Sequence, residues 1–157
     1  MQKFLFFFIT IVLFSNEVLS LDLTITKGSI KPTPIAVSNF FSSTDSTFRI
    51  GKSISMVISD NLERSGLFEP IDQKAFIQSP KSLAQGPRFE DWKVIKSQHL
   101  VSGKINKKGD KISVEFRLYD VFAQKELIGK KYETTEKNWR RVSHIISDAI
   151  FSRLTGD

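Results

Sequence analysis

The sequence contains no cysteine and only two histidines among its 157 residues. Without cysteine the chain can form no disulfide and supply no thiolate, so thiol nucleophiles, thiolate-bound metals and disulfide-stapled folds are excluded. His99 and His144 lie in different predicted elements, where a histidine is more often packed or solvated than catalytic. The composition therefore predicts no metal site and no cofactor.

Sequence motifs for phosphate binding and acyl transfer are also missing. Gly51-Lys52-Ser53 matches the end of a P-loop, but Ser46 stands five residues before Gly51, where that motif requires glycine. No Gly-x-Ser-x-Gly elbow occurs. Because no catalytic chemistry is concentrated anywhere, the sequence favours a non-enzymatic binding or interaction protein over an enzyme.

No apolar run is long enough to span a bilayer. The longest runs from Phe4 to Phe14, interrupted only by Thr10, and falls well short of the roughly 20 residues of a membrane helix. It follows Lys3 and precedes a polar stretch that ends in the small Ser20, which is the pattern of a cleavable secretory signal peptide. We predict a signal peptide over residues 1–20, cleavage before Leu21, and a mature chain that works outside the cytoplasm.

The chain carries a formal net charge of +6. In an exported protein, a positive net charge can indicate binding to an anionic membrane surface or to a nucleic acid. It can also reflect lysines that are scattered over solvated faces without a partner. The longest basic runs are only pairs: Lys107-Lys108, Lys130-Lys131 and Arg140-Arg141. Aromatic residues are not arranged with these pairs as a stacking platform for single strands requires. The pattern favours scattered charge and no nucleic-acid partner.

The start of the mature chain combines a strand pattern with chain breakers. Leu21, Leu23 and Ile25 alternate with polar residues, which predicts a half-buried strand. Gly28 and two prolines follow and separate this strand from the next element. We therefore predict an extended segment over residues 21–33 that is able to move, followed by one domain over residues 34–157.

Strand and helix patterns then follow one another along this domain. Predicted strands cover 35–41, 67–71, 99–106, 111–120 and 125–134, and predicted helices run from 47 to 65, 89 to 97 and 137 to 154, with loops and helical pieces over 72–88. In the strand 111–120, alternation places Ile112, Val114, Phe116 and Leu118 on a buried face and Ser113, Glu115, Arg117 and Tyr119 on a more polar face. The order of elements predicts an α/β domain with a mixed five-stranded sheet and helices packed on it.

Six short segments, taken together and in order, resemble the N-terminal domain of the TolB family, periplasmic components of the Tol-Pal cell-envelope system. The matching segments are 21–28, 31–37 with Phe40, 58–68, Trp92 with 100–103, 116–121, and 139–156. Asn39 departs from the proline that the family usually has before the phenylalanine, which is expected to change only a strand end. Family members continue into a six-bladed β-propeller, whereas this sequence stops at Asp157, which we interpret as a fragment or a shortened gene.

The resemblance implies a partner and a role. In the family the extended N-terminal segment docks on the C-terminal domain of the inner-membrane protein TolA, and the propeller holds the lipoprotein Pal. By resemblance the system maintains outer-membrane integrity and constriction during cell division. The corresponding partner-binding residues here are Leu21, Asp22, Leu23, Thr24, Ile25, Thr26, Lys27, Gly28, Ser29 and Ile30.

The residues alone leave alternatives open. The strand over residues 21–26 can pack on its own sheet, or it can add to the sheet edge of another protein, where main-chain hydrogen bonds supply affinity. A different class of function is an exported lipid- or glycan-binding accessory domain. In that case Arg117 and Tyr119, on the open face of the three-stranded meander, form the ligand surface.

Overall fold

The computed structural model describes residues 31–156. The predicted signal peptide and the predicted partner-binding residues 21–30 lie outside this range. The strands are β1 (Thr33–Val37), β2 (Phe68–Pro70), β3 (His99–Lys108), β4 (Lys111–Asp120) and β5 (Lys125–Thr135), and the helices are α1 (Asp45–Arg64), α2 (Pro80–Leu83), α3 (Phe89–Val94) and α4 (Trp139–Thr155). Short 3-10 turns occupy Gln73–Ala75 and Glu136–Asn138.

The five strands form one mixed sheet in the order β2-β1-β3-β4-β5. β1 pairs in parallel with both β2 and β3, whereas β3, β4 and β5 form an antiparallel meander. The predicted α/β fold with a mixed five-stranded sheet is thus confirmed. The end of the sheet at which β1 begins, level with His99, Asp120 and Lys125, is called the entry end below.

Two long helices cover one face of the sheet, called the helix face. α1 contributes Ile54, Ile58 and Leu62 and α4 contributes Val142, Ile146 and Ile150, all buried against the apolar side chains of β1, β3 and β4. Both sets follow the helical period, which is why these two segments fold as amphipathic helices. Burying a large aliphatic side chain contributes roughly 1.5–3 kcal/mol, so this face supplies most of the apolar stabilisation.

The opposite face, called the back face, is covered only in part. The excursion between β2 and β3 lays α2 and α3 over the entry-end half, where Leu83 and Trp92 pack on Ala36 and Leu100. Trp92 is fully buried and has an edge-to-face contact with Phe76, with ring centroids 5.0 Å apart. The distal half of the meander stays open on this side, so the domain has one complete core layer and one partial layer.

The first strand of the described domain differs from the prediction. β1 begins two residues before the predicted strand 35–41 and ends at Val37, and it also crosses the predicted boundary between segment and domain at residue 33. Past Val37 the regular pairing is interrupted, because four residues of the chain match three of β3 before Phe41 pairs again in parallel, opposite Lys104. Phe41 donates its backbone N–H to the carbonyl of Gly103 at 2.8 Å, and its own carbonyl accepts the N–H of Ile105 at 2.7 Å. Phe40, at this irregularity, is fully buried on the helix face, which alternation along the chain cannot reveal.

Within residues 31–156, no helix is both long enough and apolar enough to cross a bilayer. The same residues contain no group of three His, Asp or Glu side chains placed to hold a metal ion.

Candidate interaction surfaces

β1 is hydrogen-bonded on both sides up to its first residue. Thr33 donates its N–H to the Leu67 carbonyl at 2.8 Å, and the Pro34 carbonyl accepts the N–H of Gln98 at 3.0 Å. The residues before β1 therefore join the sheet at its interior rather than at an edge. Pro32, directly before β1, has no N–H to donate. Neither side of β1 leaves a free position in the described sheet for the preceding segment.

The polar side of β4 carries an ion-pair network. Arg117 donates to Glu126 at 2.8 Å and to Glu115 at 3.2 Å, and Lys104 lies 3.4 Å from Glu115. Burial raises the pKa of Glu115, but the hydrogen bond from Arg117 and the charge of Lys104 outweigh it and hold that pKa below its usual range. The positive charges on this face are thus largely compensated by neighbouring carboxylates.

Tyr119 and Arg117 lie on the same face, as the sequence predicts, and both line a pocket of about 270 Å³ on the back face. Tyr119 is much less open than expected. Its side chain is only 8% exposed because Phe89 of α3 packs on it, with ring centroids 5.9 Å apart. Burial raises the pKa of the Tyr119 hydroxyl. The expected openness is therefore wrong for Tyr119, which the excursion between β2 and β3 covers, whereas the Arg117 side chain is 48% exposed beside the same pocket.

The groove between α1 and α4 holds a polar cluster around His144. The Asn61 side-chain amide lies 2.9 Å from His144 Nδ1 and donates to Ser147 Oγ at 3.0 Å. Its oxygen accepts a hydrogen bond from Arg64. These contacts join the two helices on their solvent-facing side. His144 is exposed, as the sequence predicts, and it also lies within hydrogen-bond distance of α1.

His99 is the more unusual of the two histidines. It lies at the entry end of β3, and its Nδ1 is buried without a hydrogen-bond partner in the described part of the chain. Burial lowers the pKa of His99, and the nearby Asp120 carboxylate opposes this only partly. The side chain is thus kept neutral at a position where protonation would place a charge in an apolar setting.

We expect this histidine to make folding sensitive to mild acid. With a pKa in the folded state below the ordinary value of 6.5, the unfolded chain binds the proton more tightly. The free energy of unfolding should hence be highest above pH 6.5 and fall as the pH drops through 6.5 toward the lowered pKa. Urea titrations at several pH values between about 7.5 and 5 measure this slope.

His99→Gln should flatten the slope in that window, while His144→Gln should leave it in place because His144 is exposed. Equal slopes for His99→Gln and the unchanged chain would show that His99 does not carry the effect.

A family model described as the TolB amino-terminal domain matches residues 21–127. The chain belongs to the TolB amino-terminal domain family. A curated relative, the Tol-Pal system protein TolB of Paramagnetospirillum magneticum, is 49% identical over 134 residues, which cover 85% of this chain and 30% of that protein. The chain thus spans less than a third of that TolB, and the match extends into the predicted segment 21–30.

Solved structures agree on the fold. The crystal structure of TolB from Acinetobacter baumannii superposes with a TM-score of 0.66 at 24% identity, covering 80% of this chain and 29% of that chain. The lipoprotein GNA1162 from Neisseria meningitidis superposes with a TM-score of 0.54 at 14% identity, covering 79% of this chain and 98% of that chain. At these identities the likeness concerns the fold alone.

The structure brings none of the predicted TolA-binding residues 21–30 into view, since they all lie outside the described range. It does show residues that sequence reasoning left aside. One is Ser55 of α1, which is fully buried and donates to Asn39 Oδ1 at 2.8 Å. The other is the edge strand β5, whose exposure follows from the strand order and has no local signal in the sequence.

Proposed function

We propose that this chain is a non-enzymatic interaction domain of the Tol-Pal system in the periplasm, exported by the signal peptide over residues 1–20. Its segment 21–30 docks on the C-terminal domain of TolA. Through this contact the domain takes part in keeping the outer membrane intact and in constriction during cell division. Contact with Pal is indirect and belongs to the propeller of the longer family members.

The observation that carries this proposal is the pairing of β1, the strand that follows the segment in the sequence. Both flanks of β1 are taken by β2 and β3 up to Thr33, so a strand formed by residues 21–26 has no place beside the strand it leads into. Its alternating Leu21, Leu23 and Ile25 can instead fill pockets along the sheet edge of a partner, as in β-strand addition. Membership of the TolB family makes TolA the expected partner.

A nuclear magnetic resonance titration of labelled residues 21–157 with the C-terminal domain of TolA from the same organism tests the docking. We expect shifts confined to residues 21–31. Leu23→Glu should weaken binding at least about tenfold, since it places a charge in an apolar pocket. Thr24→Glu adds the same charge on the other side of the strand and should change affinity much less.

Equal weakening by Leu23→Glu and Thr24→Glu would argue against strand addition. A titration without shifts anywhere would overturn the TolA contact. In that case the same labelled chain should be titrated with purified envelope lipid and glycan, which tests the lipid- or glycan-binding alternative directly.

A further inference from the structure

The two edges of the sheet differ sharply. β2 has three residues and ends in Pro70, which has no N–H to donate. β5 has eleven residues and pairs, within residues 31–156, only with β4. An unpaired edge strand presents backbone donors and acceptors to any extended chain that can lie beside it. β5 is therefore the edge at which strand addition is possible.

α4 runs beside this edge and makes a groove with it. The groove has a volume of about 460 Å³. Its apolar lining comes from Ile128 and Tyr132 of β5 and from Ile145 and Ala149 of α4. The charged residues that line it are Lys130, Arg153 and Asp148, two positive and one negative. Ile145 is 37% exposed, so part of its side chain is available to a chain that lies in the groove. A free edge next to an apolar groove lets backbone bonds hold an added strand while alternate side chains enter the groove.

The positive charge of two lysines at the middle of β5 indicates which kind of strand can add to this edge. Lys130 and Lys131 are exposed, and neither belongs to the six ion pairs formed within residues 31–156. Lysines on an edge discourage pairing with neutral strands. A second copy of β5 would bring its own lysine pair against this one, which is unfavourable. An acidic strand instead gains from Lys131 directly on the back face, and Lys130, which lines the groove on the other face, adds to the positive charge of the edge.

The chain's own N-terminal segment fits this edge poorly. It joins at β1, and β3 and β4 lie between β1 and β5, a lateral distance of roughly 14 Å at the usual strand spacing. Arg153 donates to the Leu127 carbonyl at 3.1 Å, so the half of β5 nearest the entry end already has a side chain bound to it. Residues 21–30 also carry one acid, Asp22, against one base, Lys27, and offer no net negative charge.

We propose that Gly129–Thr135 of β5 and the facing side of α4 form a docking site for an acidic extended segment of another protein. The segment adds as a sixth strand, its apolar side chains enter the groove beside Ile145, and its carboxylates lie on the back face near Lys131. This site is separate from the N-terminal segment and does not depend on the TolA contact.

The test is a titration of labelled residues 21–157 with a ten-residue peptide that alternates valine and glutamate. The control peptide alternates valine and lysine. We expect amide shifts for residues 129–135 and for the α4 residues around Ile145 with the glutamate peptide only. Equal binding of both peptides, or shifts centred elsewhere, would overturn the site. So would a glutamate peptide that causes no shifts up to millimolar concentration.

A pair of charge reversals sharpens the result. The double variant Lys130→Glu/Lys131→Glu should bind the glutamate peptide about tenfold more weakly and acquire affinity for the lysine peptide. Lys74→Glu/Lys81→Glu makes the same charge change at exposed positions away from β5 and should bind as the unchanged chain does. If both double variants weaken binding of the glutamate peptide equally, the peptide responds only to the net charge of the domain, and the site at β5 is contradicted.

Two measurements without peptide check the other occupants. Shifts of β5 amides on dilution would show that a second copy occupies the edge. Shifts of β5 amides on deletion of residues 21–30 would show that the chain's own segment does. Either result contradicts the proposal.

Discussion

Gly103→Ala is expected to lower the free energy of unfolding by about 3 kcal/mol, the upper part of the usual range for overpacking. A methyl group at Gly103 would overlap the ring carbons of Phe40, which lies on this glycine and is fully buried. The ring has little room to yield, because Gly51 of α1 backs the Phe40 carbonyl so closely that a side chain there would overlap it too. Phe40 is thus enclosed between α1 and β3, and chemical denaturation measures the cost.

The partner variant Phe40→Leu separates overpacking from other causes. Alone it should destabilise the domain, because it removes buried ring atoms. Combined with Gly103→Ala it should recover part of the loss, giving a favourable coupling energy in a double-mutant cycle. Additive losses would show that the Gly103 substitution acts without meeting the Phe40 ring.

Gln78→Met is expected to lower the free energy of unfolding by about 2–5 kcal/mol, since two buried donors would lose their acceptor at roughly 1–3 kcal/mol each. Gln78 is 2% exposed, and its Oε1 accepts from Trp92 Nε1 at 3.0 Å and from the Arg88 N–H at 2.9 Å. Its Nε2 donates to the Gly86 carbonyl at 2.8 Å. Nε2 also donates to Ser82 Oγ at 3.3 Å. Methionine keeps the length of the side chain and removes all four bonds.

Gln85→Met is the matched control for this change, because Gln85 is exposed in the same excursion, and its effect should stay within about 0.5 kcal/mol. The loss in Gln78→Met should appear together with a change in tryptophan fluorescence, as Trp92 is the buried indole of this cluster. If Gln78→Met were as mild as Gln85→Met, the excursion would not depend on this hydrogen-bonded centre.

Periodicity predicted the helices and strands well where only one face of the element is buried against the hydrophobic core. In β4, Ile112, Val114, Phe116 and Leu118 are all buried, as alternation indicates. The same alternation also placed Tyr119 on an open face, and that was wrong because a pattern reports which side a residue is on and not what covers that side. Gln78 illustrates the converse, since a glutamine in a polar loop has no local signal that it is buried.

The sequence by itself determined the family and the mixed sheet. Helical and strand periodicity, and short motifs in a fixed order, are contained in neighbouring residues and can be recognised without knowing the tertiary contacts. The tertiary structure alone decided which polar groups are buried and which strand edge is left free. Phe40 is buried against Gly51 and Gly103, the Nδ1 atom of His99 is buried, Gln78 is buried within a folded excursion, and β5 is an edge only because of the strand order. Burial and pairing are sums over contacts between segments far apart in sequence, so no local pattern contains them.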